Sequence, residues 1–393
     1  MLVISDSETL AAFVARHADA PYLLIDTEFL REQTYYPKLC LIQIAGPQEA
    51  VIVDALAEGL DLSHLEPLLA DQGIIKVFHA GRQDLEIFHK LYGFVPTPLF
   101  DTQVAAMVCG FGEQVAFDTL VKRITGKSLD KVSRFTDWAR RPLSSRQLDY
   151  ALADVVHLRP VYLELAKSLA ERKRAAWVEE EMGALAQPSL YVVDPQSAWE
   201  RIKARSRDTR FLGRLQALAA WREREAQERD LPRQRLLRDE QLQEIAANNP
   251  GNAEKLAHAR GFSRQAAEGK LGQRILAVLA NAEPMSTEQL PRRQERPTVV
   301  NAGSRGDLLR VLLRLASEAH GVAPRLIANG NEIDRLAAGE RDDLRVLSTW
   351  RAEVFGQDAI ALLEGRLALA CSADSVQILE RDDQGAWAVR NAP

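Results

Sequence analysis

The sequence predicts an N-terminal α/β domain built on a mixed sheet, followed by an all-α region. Three observations lead there. Short apolar runs rich in Val and Ile alternate with helically spaced runs through the early chain. Gly46-Pro47 joins two of those runs by a turn too short for a parallel crossover, so one strand pair is antiparallel. From about Ala116 onward the apolar spacing is helical.

Taken in order, Tyr22–Asp26, Lys38–Ala45, Ala50–Asp54 and Ile74–His79 read as strands, and Leu62–Ala70 and Gln83–Tyr92 as helices. A long helical segment runs from Ser145 to about Trp177, with Pro160 expected to kink or break it near Arg159 because proline removes a helical N–H. The α/β domain is expected to span residues 1–190. Beyond the turn-rich Pro188–Pro195 the pattern is entirely helical, with the charged amphipathic stretch Phe211–Arg229 first. Asp230-Leu231-Pro232-Arg233, then Leu242 and Ile245-Ala246, is echoed by Val322-Ala323-Pro324-Arg325, then Ile333 and Leu336-Ala337, an offset of 92 residues at the prolines. A recurrence that long implies two related modules rather than a solenoid. Expected boundaries are 205–285 and 305–372 for the modules, a Pro- and Gly-bearing linker at 286–304, and a C-terminal tail at 373–393.

Composition narrows the function classes. With 46% hydrophobic and 27% charged residues in 393, the chain is globular rather than disordered. No run of about 18 apolar residues offers a membrane span. The opening residues lack a secretory pattern, and Cys40, Cys109 and Cys371 have no zinc spacing, so a reduced, cytoplasmic location is expected. The net charge of −5 hides a division: residues 1–200 carry a net −9, and residues 201–300 a net +7. An acidic module beside a basic one fits a carboxylate site with a polyanion-binding arm.

Three acidic segments stand out. Asp26 and Glu28 close an apolar strand, where alternation points both side chains the same way. Side by side they repel each other unless a cation lies between them. Asp84, in His79-Ala80-Gly81-Arg82-Gln83-Asp84-Leu85, falls in the first turn of a helix, where an acidic residue is also favourable for the helix dipole alone. Tyr150 and Asp154, four apart, share one helix face, separate from the face bearing Leu148, Leu152 and Val155. The histidines show no paired metal spacing, and most read as surface or satisfied core residues. Gly126-Lys127-Ser128 lacks the earlier glycine of a phosphate loop, where Val121 stands, so an ATP-dependent role is not expected.

Asp-x-Glu, a later Asp and then Tyr-x-x-x-Asp, in this order, resemble the tyrosine-bearing branch of the DEDD superfamily of 3′→5′ exonucleases. Together with Thr136-Asp137-Trp138-Ala139-Arg140-Arg141-Pro142-Leu143, they resemble the ribonuclease D family in particular. The helical repeats resemble the HRDC module, two of which follow the nuclease domain in that family. The resemblance implies a ribonuclease H-like exonuclease fold carrying Asp26, Glu28, Asp84 and Asp154 as ligands of two divalent ions, Mg²⁺ or Mn²⁺. It further implies that Tyr150 orients the attacking water, and that 3′ extensions of tRNA precursors and other small structured RNAs are trimmed to release nucleoside 5′-monophosphates.

Phe29 could stack on a terminal base or pack in the core. Arg201, Lys203, Arg205, Arg207 and Arg210 are candidate phosphate contacts in the arm. Charges in the second module are near balance, which suits a spacer. The expected partner is RNA with a single-stranded 3′ end, met by a monomer with no membrane and no ATP involved. A DNA exonuclease of the same superfamily and an inactive RNA-binding scaffold are the alternatives, the second disfavoured by the complete carboxylate set.

Overall fold

In a computed structural model of the chain, residues 2–129, 136–290, 302–382 and 384–390 are described. The first unit is a six-stranded mixed sheet with strands β1 (Leu2–Ile4), β2 (Tyr22–Leu30), β3 (Lys38–Ala45), β4 (Ala50–Asp54), β5 (Ile75–Phe78) and β6 (Leu99–Asp101), in the order β1-β4-β3-β2-β5-β6. β3 runs antiparallel to both β2 and β4, and the remaining pairs are parallel. The turn through Gly46-Pro47 is therefore the hairpin the sequence predicts. β1 and β6, of three residues each, are additions to that reading.

Side-chain parity along β2 organises the layers. Leu23 and Ile25 enter one core with Leu10 and Phe13 of α1 (Ser7–Arg16), Leu68 and Leu69 of α2 (Glu66–Ala70), and Leu85 and Phe88 of α3 (Arg82–Tyr92). Tyr22 and Leu24, of opposite parity, enter a second core with Val155, Leu158 and Tyr162. Those three belong to a long helix that follows α4 (Thr102–Val108) and α5 (Phe117–Thr125), namely α6 (Ser145–Glu171), whose N-terminus is closed by a reciprocal Ser144–Gln147 capping box.

α6 passes through Pro160 without interruption, so the expected break at Arg159 does not occur. The carbonyl deprived of its bond belongs to Val156, an exposed residue. Buried Leu158 and Val161 meanwhile hold the helix against the sheet from both sides of the proline. The helical segment divides sooner than expected, at left-handed Lys173, before α7 (Ala175–Leu185).

The first helical unit comprises α8 (Thr209–Glu228), α9 (Arg233–Leu236), α10 (Asp239–Asn248), α11 (Ala253–Leu256), α12 (Arg264–Glu268) and α13 (Lys270–Ala280). Its core also takes in Ala198, Trp199 and Ile202, so the packed unit starts upstream of residue 205. The second unit begins α14 (Ala302–His320), α15 (Pro324–Ile327), α16 (Gly330–Ala337), repeating the long–short–long order of α8–α10. It continues through α17 (Thr349–Arg351) and a π turn to α18 (Gln357–Leu363). Of the expected linker 286–304, residues 291–301 lie outside the described residues, and the helix already starts at Ala302.

The expectations of an all-helical C-terminal half and of a tail at 373–393 need correcting. β7 (Leu367–Cys371), β8 (Val376–Arg381) and β9 (Trp387–Val389) form a three-stranded antiparallel sheet, with Leu369 and Ile378 packed on the core of the second unit. Among the described residues no helix is long and apolar enough to cross a membrane.

The second unit docks on α7 through a buried cation. The Arg351 side chain is fully buried; it donates to Glu180 and Glu181, and its Nε donates to the Leu326 carbonyl at 2.8 Å. Trp350 stacks on Trp177 at 4.3 Å beside it. Arg351→Leu removes the buried partner of Glu180 and leaves the Glu181 carboxylate with Arg345 alone, at 3.2 Å, a loss of about 3 kcal/mol. Arg310→Ala, at the exposed pair with Asp334, costs less than about 1 kcal/mol. Chemical denaturation midpoints check this ordering, and equal losses would contradict it.

Candidate active site

Parity carries the first two acids to the right face. Asp26 and Glu28 continue the Tyr22–Leu24 series, so both project toward α6. A β-bulge between Glu28 and Phe29 then ends the regular ladder and turns the strand. From α6, Tyr150 and Asp154 project one turn apart into the same space. Carboxylate oxygens of Asp26, Glu28 and Asp154 all lie within 4.8 Å of one another. They line a cleft of about 920 Å³ together with Phe29, Phe117 and Tyr150.

Asp84 is placed differently. It is buried on the first turn of α3 and outside that three-acid cluster. Thr27, whose parity is opposite to that of Asp26 and Glu28, donates its hydroxyl to Asp84 and so ties α3 to β2. The turn leading into α3 is tightly constrained: Ala80 is left-handed, and a Cβ on Gly81 would fall 2.5 Å from that of Phe78. Asp101, at the end of β6, accepts from the backbone N–H groups of Ala80 at 3.1 Å and Gly81 at 2.9 Å. It also caps α4 by accepting from Gln103 at 2.8 Å. Asp101 is thus a positioning residue that sequence reasoning overlooked, although an Asp-Thr pair preceding a helical run carries an N-cap signal.

Burial and then the neighbouring Asp154 hold Asp26 well above the usual carboxylate range. Burial and then Asp26 do the same to Asp84, with the Thr27 hydrogen bond opposing. All the converging donors are hard carboxylate oxygens, the chemistry that Mg²⁺ and Mn²⁺ prefer. Tyr150 is half-buried, its ring 6.1 Å from that of Trp138. The tryptophan is anchored nearby by Arg141, which donates to the Trp138 carbonyl at 2.6 Å and to Asp54 at 2.8 Å.

His79 is a half-buried histidine at the cleft wall. It lines the cleft 5.1 Å from Phe117, with Nδ1 2.9 Å from the Thr102 hydroxyl. That hydroxyl in turn lies 3.0 Å from the Phe78 carbonyl, to which it donates. The other ring nitrogen is buried without a hydrogen-bond partner, and burial lowers the ring's pKa. Of the basic candidates, Arg201 lines a second groove, while Lys203, Arg205, Arg207 and Arg210 are exposed and line neither opening.

A family model described as 3'-5' exonuclease matches residues 1–170, and one described as HRDC domain matches residues 211–279. A protein of Granulibacter bethesdensis named Ribonuclease D is 48% identical over 96% of this chain and 96% of its own length. The crystal structure of Escherichia coli RNase D, titled an exoribonuclease involved in structured RNA processing, superposes with a TM-score of 0.79 at 31% identity. That match covers 92% of this chain and 98% of that one. A Bifidobacterium adolescentis protein shares the fold, with a TM-score of 0.69 at 20% identity over 93% and 97% of the two chains.

The carboxylate shifts carry a sign that can be measured. Because the folded chain holds protons on Asp26 and Asp84 above the ordinary value of 3.8, it binds more protons than the unfolded chain there. Stability therefore falls as pH rises from about 4 toward the folded values. In the presence of chelator, Asp26→Asn should raise the melting temperature at neutral pH by roughly 2–4 °C. It should also flatten the pH dependence above about pH 4. A lowered melting temperature at neutral pH would mean that the carboxylates do not oppose one another.

Proposed function

The chain belongs to the ribonuclease D family and is a 3′→5′ exoribonuclease; from that premise we propose that it trims 3′ extensions of tRNA precursors and other small structured RNAs, releasing nucleoside 5′-monophosphates. The observation that carries the site assignment is the convergence of the Asp26, Glu28 and Asp154 oxygens within 4.8 Å at the open end of β2. Asp26, Glu28, Asp84 and Asp154 would hold two divalent cations, Mg²⁺ or Mn²⁺. The donor set fits: it is all oxygen, drawn from three separate elements, and electrostatically unfavourable without compensating positive charge. When bound, the cations supply a water of lowered pKa and stabilise charge on the leaving 3′-oxygen.

The chain's own groups account for the remaining requirements. Tyr150, one helical turn before Asp154, orients the attacking water through its hydroxyl. Positioning of the water comes first in this reading, with proton transfer second. Thr27 holds Asp84 against β2, and Asp101 fixes the turn from which Asp84 projects. Phe29 and Phe117 offer ring faces on which a terminal base of any identity can stack. The repeated helix order of α14–α16 supports reading the second helical unit as another HRDC module, with Arg201, Lys203, Arg205, Arg207 and Arg210 contributing phosphate contacts from the first.

A 3′-extended tRNA precursor and a matched DNA, each incubated with Mg²⁺, Mn²⁺ or EDTA, test the whole reading. Metal-dependent shortening of the RNA from its 3′ end is expected, and shortening unaffected by EDTA would overturn the metal assignment. Asp154→Asn should abolish turnover while altering gel-shift affinity by no more than about twofold, since phosphate contacts outside the cleft dominate binding. Tyr150→Phe should lower kcat roughly 100-fold, the scale of a lost positioned proton partner. Retention of full kcat would remove Tyr150 from the mechanism.

A further inference from the structure

A second groove, of about 530 Å³, lies where the β2–β3 connection and α3 meet the segment around Tyr191 and the first helical unit. It adjoins the carboxylate cleft directly: Gln83 lines both, with Asp84 the next residue on the first turn of α3. Spacing by four places Arg82, Glu86 and Lys90 along one line of α3, turned away from the buried Asp84 and Leu85.

The cations in this groove divide into two kinds. Arg31 is held by Glu86 at 2.9 and 3.0 Å, and Arg233 by Glu223, so their charge is answered within the protein. Arg82, Lys90 and Arg201 are exposed, and none forms an ion pair among the described residues. Aromatic faces stand between them. The Lys90 Nζ sits 4.0 Å over the Tyr36 ring, and Arg82 lies close enough to Tyr191 to oppose the upward shift of its phenol. Val192, on the same wall, is 57% exposed.

Exposed cations outside ion pairs beside ring faces, Arg201 among them although it also lies within the field of Glu223, suit a phosphodiester strand whose bases stack rather than being read by hydrogen bonds. Continuity with the cleft through Gln83 fixes which strand that is. We propose that this groove seats the unpaired RNA upstream of the nucleotides held in the carboxylate cleft, with Arg82, Lys90 and Arg201 on its phosphates and Tyr36 and Tyr191 against its bases. The proposal rests on the exoribonuclease reading of the adjoining cleft. It also separates Arg201 from Lys203, Arg205, Arg207 and Arg210, which stand outside the groove.

Steady-state kinetics of Arg82→Gln/Lys90→Gln, compared with wild type and with Lys167→Gln as an exposed cation elsewhere, test it on two RNAs. One is a dinucleotide, too short to leave the cleft, and the other carries a long unpaired 3′ extension. For the long RNA, KM should rise about tenfold or more, and the slope of log KM against log salt should fall by about 1.4, corresponding to two phosphates on a single strand. For the dinucleotide, kcat and KM should stay within about twofold of wild type, which also reports that the variant is folded. An equal rise for both RNAs, or no rise beyond that of Lys167→Gln, would overturn the groove assignment. Wild-type enzyme that shortens neither RNA would instead overturn the exoribonuclease reading and the groove with it.

Discussion

Mutual repulsion among carboxylates gathered at the end of a buried strand is the constraint around which this molecule is arranged. Asp26 lies where β2 leaves the core, with Asp154 opposite, and burial makes ionisation of the pair costly. Nothing in the packing requires acids there: Tyr22 and Leu24 fill the same face one and two steps earlier. The surrounding structure keeps the acids in place regardless. Two cores clamp β2 from both sides, Thr27 fastens Asp84, and Asp101 locks the turn before it. The fold supplies the rigidity that lets an unfavourable charge arrangement persist until cations relieve it.

Much of this could be read directly from sequence, because it depends on short-range periodicity. The alternation of β2 fixes Asp26 and Glu28 on one face, and the spacing by four fixes Tyr150 and Asp154. Gly46-Pro47 set the antiparallel pair. What escaped reading depends on tertiary partners. Leu2–Ile4 and Leu99–Asp101 are strands only because β4 and β5 provide edges for them. β7 and β8 are short and mostly half-buried and β9 is exposed, so their alternation is weak until Leu369 and Ile378 find the second unit's core. Pro160 looked like a helix breaker because local rules omit the sheet on which α6 packs. The role of Asp101 and the recessed position of Asp84 likewise follow from neighbours distant in sequence.

The two helical units show how related local patterns can take different places. Both open with a long helix, a proline-started short helix and a further helix, yet the matched family model covers only the first. The first meets the nuclease unit through polar side chains around Tyr35, the second through a buried arginine and stacked tryptophans. Their surface chemistry follows the same division. The first leaves Arg201 exposed at the second groove, whereas the second spends its prominent cation, Arg351, on attachment.

The Tyr35 junction has a geometric corollary. Its hydroxyl donates to Glu223 and accepts from Gln227 at 3.2 Å and Arg233 at 2.8 Å, binding the first helical unit to the chain just beyond β2. Tyr35 lies only seven positions beyond Glu28. Even fully extended, that tether spans no more than about 25 Å. The helical unit is therefore leashed to the clustered carboxylates by β2 and the chain just beyond it. However its outer helices move, the gap between the Tyr35 junction and the acid cluster has a ceiling written into the backbone.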